Sequence, residues 1–265
     1  MSFKRFFVTT RSAGPMRQPT VLVYHAVGEC SAGADRFGLF VTPEEFAYQM
    51  RFLARHRRVV RLDDLIGGGA QPPGSVAITF DDAYKNLLVH ALPLLRRMGF
   101  EATIFVPTRW IGLRNDWDGP SDCDLDIMSS EELSELEDRG FGIESHGHGH
   151  LKLDQVPIDV VRADVADSTA TLAGLLGRRP RYFAYPYGNH SEAVRKVVET
   201  LGYEAAFSVH LGSGPLARRR VQIRRGESAR SFAFKTSGWY EPARATGPAR
   251  LVGRLARRIA RRFAP

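Results

Sequence analysis

The sequence predicts an α/β protein built on parallel strands, and three observations predict it. Short apolar runs alternate with amphipathic helical patterns along most of the 265 residues, the order expected of βα units in a parallel sheet or barrel. The length exceeds one small domain but suits a single α/β barrel. With 43% apolar and 25% charged residues, the chain can bury a sizeable core and lacks the composition of a disordered one.

Strands are expected at Thr20–Tyr24, Val76–Phe80, Ala102–Val106, Gly142–Ser145, Arg181–Tyr185 and Glu204–Ser208. Between them, Thr42-Pro43-Glu44-Glu45 opens a helix with Thr as N-cap, Pro at the first helical position and Glu45 at the capping-box position. Phe46, Met50 and Leu53 give that helix its apolar stripe. Ser129 or Ser130 caps a second helix, with Leu133 and Leu136 inward and a stop near Gly140. Two more are expected over Ile158–Leu176 and Ser191–Leu201. Gly67–Gly74 reads as a loop. Pro107–Met128 carries Trp110, Trp117 and five aspartates without periodicity, as a substrate wall or a solvated acidic connector would.

Several classes are excluded. No apolar run approaches the roughly 20 residues that span a bilayer. Phe6-Phe7-Val8 is too short for a secretory core, so no signal peptide is expected. Two cysteines, Cys30 and Cys123, fit a reducing compartment and exclude a Cys-rich zinc module. A cytoplasmic protein is therefore expected. Seven of the eight net positive charges are arginines of residues 244–265, so the body is nearly neutral and offers no nucleic-acid face.

Three clusters carry chemistry, each after an apolar run, where ligands gather in parallel α/β folds. In Asp81-Asp82, two adjacent carboxylates are hard to bury unless a cation takes one and leaves the other free as a base. A solvated turn would carry the same pair. In Ser145–His150, three histidines fall within five residues, and alternate glycines let the backbone bend so that rings converge. His146 and His150 could reach one ion, with His148 directed elsewhere, and an N/O donor set suits Zn2+. In Phe183–Gly188, aromatic rings beside a Pro-Gly turn make a stiff apolar wall of the kind that stacks a sugar, or an ordinary loop.

In this order, the clusters resemble the polysaccharide deacetylase family (the NodB-like group, carbohydrate esterase family 4). Thr79–Asp82, His146–His150 and Phe183–Gly188 match its three motifs, and Tyr24-His25 resembles the N-terminal motif of the subgroup acting on poly-N-acetylglucosamine. The resemblance covers roughly residues 20–210 and implies a distorted (β/α)7 barrel. It implies that Asp82, His146 and His150 hold a divalent metal ion, Zn2+ first and Co2+ or Ni2+ as alternatives. Asp81 would be the general base and His25 the general acid. The Tyr187 backbone N–H would hold the oxyanion, and Tyr185 and Pro186 would line the substrate wall. Two positions depart from the pattern. Ala83 stands where the family usually has Gly. Ala184 stands where many members carry the Arg that steadies the base, and Arg220 is the candidate replacement. His210 ranks below His25 as acid.

The implied activity is removal of N-acetyl groups from an N-acetylhexosamine-containing glycan. A metal-dependent hydrolase of other amides and a catalytically dead glycan-binding protein are the alternatives. The expected organisation is an extension (1–19), a catalytic domain (20–243) and a tail (244–265). In the tail, Leu251, Leu255, Ile259 and Phe263 recur every four residues among arginines. That pattern suits a basic amphipathic helix, lying at an anionic membrane surface or docked on the barrel. No protein partner is expected.

Overall fold

The structure, a computed structural model, describes residues 19–245 except 32, 68–70, 73, 120–122, 124 and 211. The expected extension and the amphipathic tail therefore lie outside the described residues, but for 19 and 244–245.

The chain begins with β1 (Thr20–Tyr24), β2 (Ala26–Val27), β3 (Phe40–Val41), α1 (Pro43–His56), β4 (Arg58–Val59) and α2 (Leu62–Ile66). It continues through β5 (Ser75–Phe80), α3 (Asn86–His90), α4 (Leu92–Arg97), β6 (Thr103–Val106), α5 (Ser130–Asp138) and β7 (Gly142–Ser145). Then come α6 (Ile158–Leu176), β8 (Tyr182–Ala184), α7 (Glu192–Thr200), β9 (Ala205–Ser208), β10 (Arg218–Arg219), β11 (Val221–Gln222), α8 (Ala229–Lys235) and α9 (Tyr240–Ala245). All six predicted strands form, within a residue or so of their expected bounds. Both capping boxes form too, Thr42 with Glu45 and Ser129 with Glu132. Gly177, at φ 67°, ends α6 in the left-handed conformation that glycine adopts without steric cost.

The main sheet is parallel and runs β10-β9-β8-β7-β6-β5-β1-β11. Its two edges lie in one stretch of chain. Arg218 and Arg219 pair with β9, Val221 and Gln222 pair with β1, and Arg220 sits between them. The sheet is thus a nearly closed barrel of the (β/α)7 kind. This closing segment was not foreseen, because its two-residue strands are rich in arginine and lack an apolar run.

Strand alternation then assigns the layers. Val21, Ala77, Phe105, Tyr182, Ala184, Ala205 and Phe207 pack together inside the barrel. Leu22, Tyr24, Ile78, Phe80, Ile104 and Val106 face outward, into the layer with α1, α3 and α5. Among the described residues, no helix is long and apolar enough to cross a membrane.

One expectation is overturned. Cys30 and Cys123 form a disulfide across 93 residues of sequence, with Cα atoms 5.3 Å apart. It ties the segment after β2 to the loop after β6. The cysteines therefore give no argument for a reducing compartment; their pairing depends on the fold bringing two distant loops together, which their spacing could not show.

Candidate active site

The candidate residues gather at the carboxyl end of the barrel. Along β5, Ala77 lies in the interior cluster and the period of two carries the inward face through Thr79 to Asp81. The Asp81 N–H donates to the Tyr24 carbonyl at 2.9 Å, extending the β1–β5 ladder one residue past the strand. The chain then turns sharply: Asp82 has φ 68° and Ala83 φ 54°. Non-glycine residues pay about 1–2 kcal/mol each for this left-handed conformation. Ala83 thus adopts a glycine conformation at the position where the family has Gly.

Asp81 receives both guanidinium nitrogens of Arg220 at 2.6 Å each. Arg220 is 1% exposed, and its guanidinium also lies 5.2 Å from the centroid of Phe105. Burial would raise the Asp81 carboxyl, but the charge and hydrogen bonds of Arg220, with His146, outweigh it and hold the group down at about 2. Asp82 lacks such a counter-ion, and burial pushes its pKa up.

His146 follows β7, its N–H donating to the Val106 carbonyl at 2.9 Å. Its ring Nδ1 lies 2.7 Å from the Ala184 carbonyl, which only accepts, so Nδ1 carries the proton and Nε2 the lone pair. Nε2 of His146 is 3.5 Å from Asp82 Oδ1, and Nε2 of His150 is 3.3 Å from the same oxygen. Burial holds the His146 pKa down and lowers that of His150 to about 4, which favours the neutral form of each ring. His150 also has φ 56°. His148 turns away, its Nδ1 at 2.9 Å from the Thr108 hydroxyl. His25 is half-buried with its Nδ1 enclosed and unpartnered. Burial lowers its pKa, while Asp82 and Asp81 pull the other way.

The aromatic wall is only partly realised. Tyr182 and Ala184 face the interior, so alternation turns Phe183 and Tyr185 outward, where Tyr185 is buried and donates its hydroxyl to the Leu216 carbonyl. Pro186 is buried too. Neither offers a face to a substrate. Tyr187, at φ 59°, does border the site: its ring is 4.8 Å from His150, and its hydroxyl is 3.4 Å from Asp118. His210 approaches the Tyr187 carbonyl at 3.1 Å, on the far side of that turn.

The loop after β6, for which a substrate wall is one of two expectations, brings Trp117 and Asn115 to the site, and Asn115 is the residue that sequence reasoning missed. Trp117 packs 4.3 Å from the His150 ring and 5.3 Å from Trp110. Asn115 donates to the Tyr84 hydroxyl at 2.7 Å, and that hydroxyl hydrogen-bonds Asp82. The loop is therefore a wall of the site rather than a solvated connector. Aromatic and Asn residues scattered through an aperiodic segment carry no positional signal; only the loop's place after a strand hinted at this use.

The chemistry of the donor set fits a cation. Asp82, His146 and His150 offer ligand atoms within 4.8 Å of one another, all buried. Asp82 Oδ1 and His150 Nδ1 have no hydrogen-bond partner among the described residues. A buried carboxylate oxygen facing the lone pair of a neutral imidazole is electrostatically unfavourable, and a divalent ion reconciles them.

The polysaccharide deacetylase family model matches residues 68–206. The chain is 28% identical over 182 residues to a poly-beta-1,6-N-acetyl-D-glucosamine N-deacetylase of Staphylococcus epidermidis, covering 64% of this chain and 61% of that one. It is also 28% identical over 162 residues to the YxkH protein of Bacillus subtilis, covering 59% and 54%. The match thus spans little more than half the length of these curated relatives. Among solved structures, IcaB of Ammonifex degensii superposes with a TM-score of 0.70 at 24% identity, covering 85% of this chain and 97% of that one. The Streptococcus pyogenes deacetylase PplD, in complex with acetate, gives 0.70 at 21%, covering 82% and 96%. These two likenesses speak to the fold.

Proposed function

The chain belongs to the polysaccharide deacetylase family, and from that premise we propose that it is a metal-dependent hydrolase removing N-acetyl groups from an N-acetylhexosamine-containing glycan. One observation carries the reading: ligand atoms of Asp82, His146 and His150 converge within 4.8 Å of one another, all buried, beside an Asp81 held ionised by Arg220. The remainder of this account follows from those positions.

Asp82 and Nε2 of both histidines would hold the ion, with Zn2+ favoured by the N/O donor set. A divalent ion there would polarise the acetyl carbonyl and acidify a water molecule. Asp81 accepts the proton of the attacking water. Arg220 keeps its carboxylate ionised and fixes its plane, so the acceptor is always ready and always aimed. His25 donates the proton that the departing amine nitrogen needs; burial lowers its pKa, and the two aspartates partly offset that. The Tyr187 N–H, on the turn after β8, is the donor proposed for the oxyanion. Trp117 and the Tyr187 ring give an apolar wall for a sugar face. The name of the Staphylococcus relative supports β-1,6-linked poly-N-acetylglucosamine as the first substrate to assay.

The test measures acetate released from N-acetylglucosamine oligomers. Activity should vanish with a chelator and return with Zn2+. Full activity in the chelated protein would overturn the proposal.

A further inference from the structure

The loop that carries both histidines has to hold two left-handed turns, Gly147 at φ 76° and the strained His150 at φ 56°, with no regular structure of its own. Its backbone carbonyls are satisfied from one side. The N–H groups of Thr108 and Arg109 donate to the carbonyls of Gly147 and His148 at 3.1 and 3.0 Å. From the other side comes one carboxylate. Asp164, in the second turn of α6 and 5% exposed, accepts the His148 N–H on Oδ2 at 2.9 Å and the Gly149 N–H on Oδ1 at 2.6 Å. Both oxygens are thus spent on two successive amides of the segment between the candidate ligands. The fit is close: a Cβ on Gly147 would lie 2.7 Å from Asp164 Oδ2, and one on Gly149 3.2 Å from Oδ1.

We propose that Asp164 is a positioning residue for the metal site, clamping the His148 and Gly149 amides so that His146 and His150 converge on one ion. Asp164 touches neither ring. It acts through the backbone, with charge-assisted hydrogen bonds that a neutral side chain reproduces poorly. β7 fixes His146, and the stretch from 147 to 149 has to bend back within three residues to return His150 to the same point. Without the clamp, that stretch would have to leave two largely buried N–H groups unpaired or open toward water, and His150 would swing away. Positioning groups outside the direct ligands typically contribute 10- to 100-fold to metal affinity. The proposal rests on the metal reading of Asp82, His146 and His150.

The experiment measures Zn2+ affinity by chelator competition on the full chain, at a temperature where circular dichroism shows each variant folded. Asp164→Asn should weaken binding about 10- to 100-fold. Gly147→Ala, which presses a methyl group into the clamp from the loop side, should weaken it as well. A folded Asp164→Asn that binds Zn2+ like the unmodified protein would overturn the proposal, whatever its melting temperature. Should that variant fail to fold, amide exchange in the unmodified, chelator-treated protein still tests the clamp. The His148 and Gly149 amides should exchange as slowly as those of α6, and exchange at open-loop rates would overturn it. Absence of Zn2+ binding by the unmodified protein would instead sink the metal reading, with the slow amides left standing.

Discussion

Two buried carboxylates, at opposite ends of the barrel, show how differently the molecule treats a charge. Glu144 lies near the amino end of the strands. It accepts the Arg181 and Tyr182 N–H groups at 2.6 and 2.8 Å and pairs with Arg178 at 3.1 Å. Around it Arg178 meets Glu137, Arg181 meets Glu204 and Asp63, and Arg61 meets Glu101. A cavity of about 250 Å³ opens among these groups. Asp82, at the carboxyl end, is as deeply buried, yet its Oδ1 has no hydrogen-bond partner among the described residues and its backbone is strained. Burial raises the pKa of both groups. One end spends its charges on each other; the other leaves donors and acceptors unspent. In the first pattern the buried carboxylate is answered within the fold, and the second is what a site that binds something requires.

The comparison breaks if loss of charge at the two ends has similar effects. The largest expected effect is at the reacting end. Asp81→Asn should lower kcat/KM for acetate release about 10²- to 10⁴-fold, measured on the folded variant, because it also takes one partner from the buried Arg220 pair. Arg220→Met should cost both activity and stability. Removing one partner of a buried pair typically costs about 3–5 kcal/mol, read by denaturant unfolding. Its pH signature has a definite sign. Because the folded-state pKa of Asp81 lies at about 2, below its ordinary 3.8, the pair's stabilisation is present above about pH 4 and fades as pH falls through about 2. In the Met variant that stabilisation is gone, so the acid-unfolding midpoint should move to higher pH. At the opposite end, Glu144→Gln should lower stability by about 1–3 kcal/mol with kcat/KM unchanged in the folded protein. A large catalytic defect there would erase the distinction. The smallest effect sharpens the substrate wall: Trp117→Ala should raise KM about 2- to 10-fold with little change in kcat, the worth of one aromatic contact.

Much of this division was legible in the residues. Asp81-Asp82 and His146–His150 lie at the ends of strands whose apolar runs are unambiguous, so their shared location follows from parallel topology alone. The spacing of the histidines suggested that His146 and His150 could share an ion, and the family resemblance added Asp82 to them. Tyr185 shows the limit. An aromatic beside a Pro-Gly turn looks like a substrate wall, but the strand period places it one residue out of phase with the interior. Asp164 and Asn115 were invisible for another reason: each acts on backbone or side chains far away in sequence, and an isolated Asp in a helix or Asn in a loop has no local signature. The disulfide belongs to the same class, since its partners are 93 residues apart. Arg220 was found through the family resemblance, once Ala184 stood where many members carry an Arg.

The position of Arg220 at the meeting of the sheet's two edges ties chemistry to the order of synthesis. A growing chain would release Asp81, Asp82 and both histidines well before residue 220, and during that interval the base would have no counter-ion. That later segment supplies, around one residue, the closing staves of the barrel and the cation that pairs with Asp81. A chain cut short before that point would keep most of its motifs and still lack an armed base.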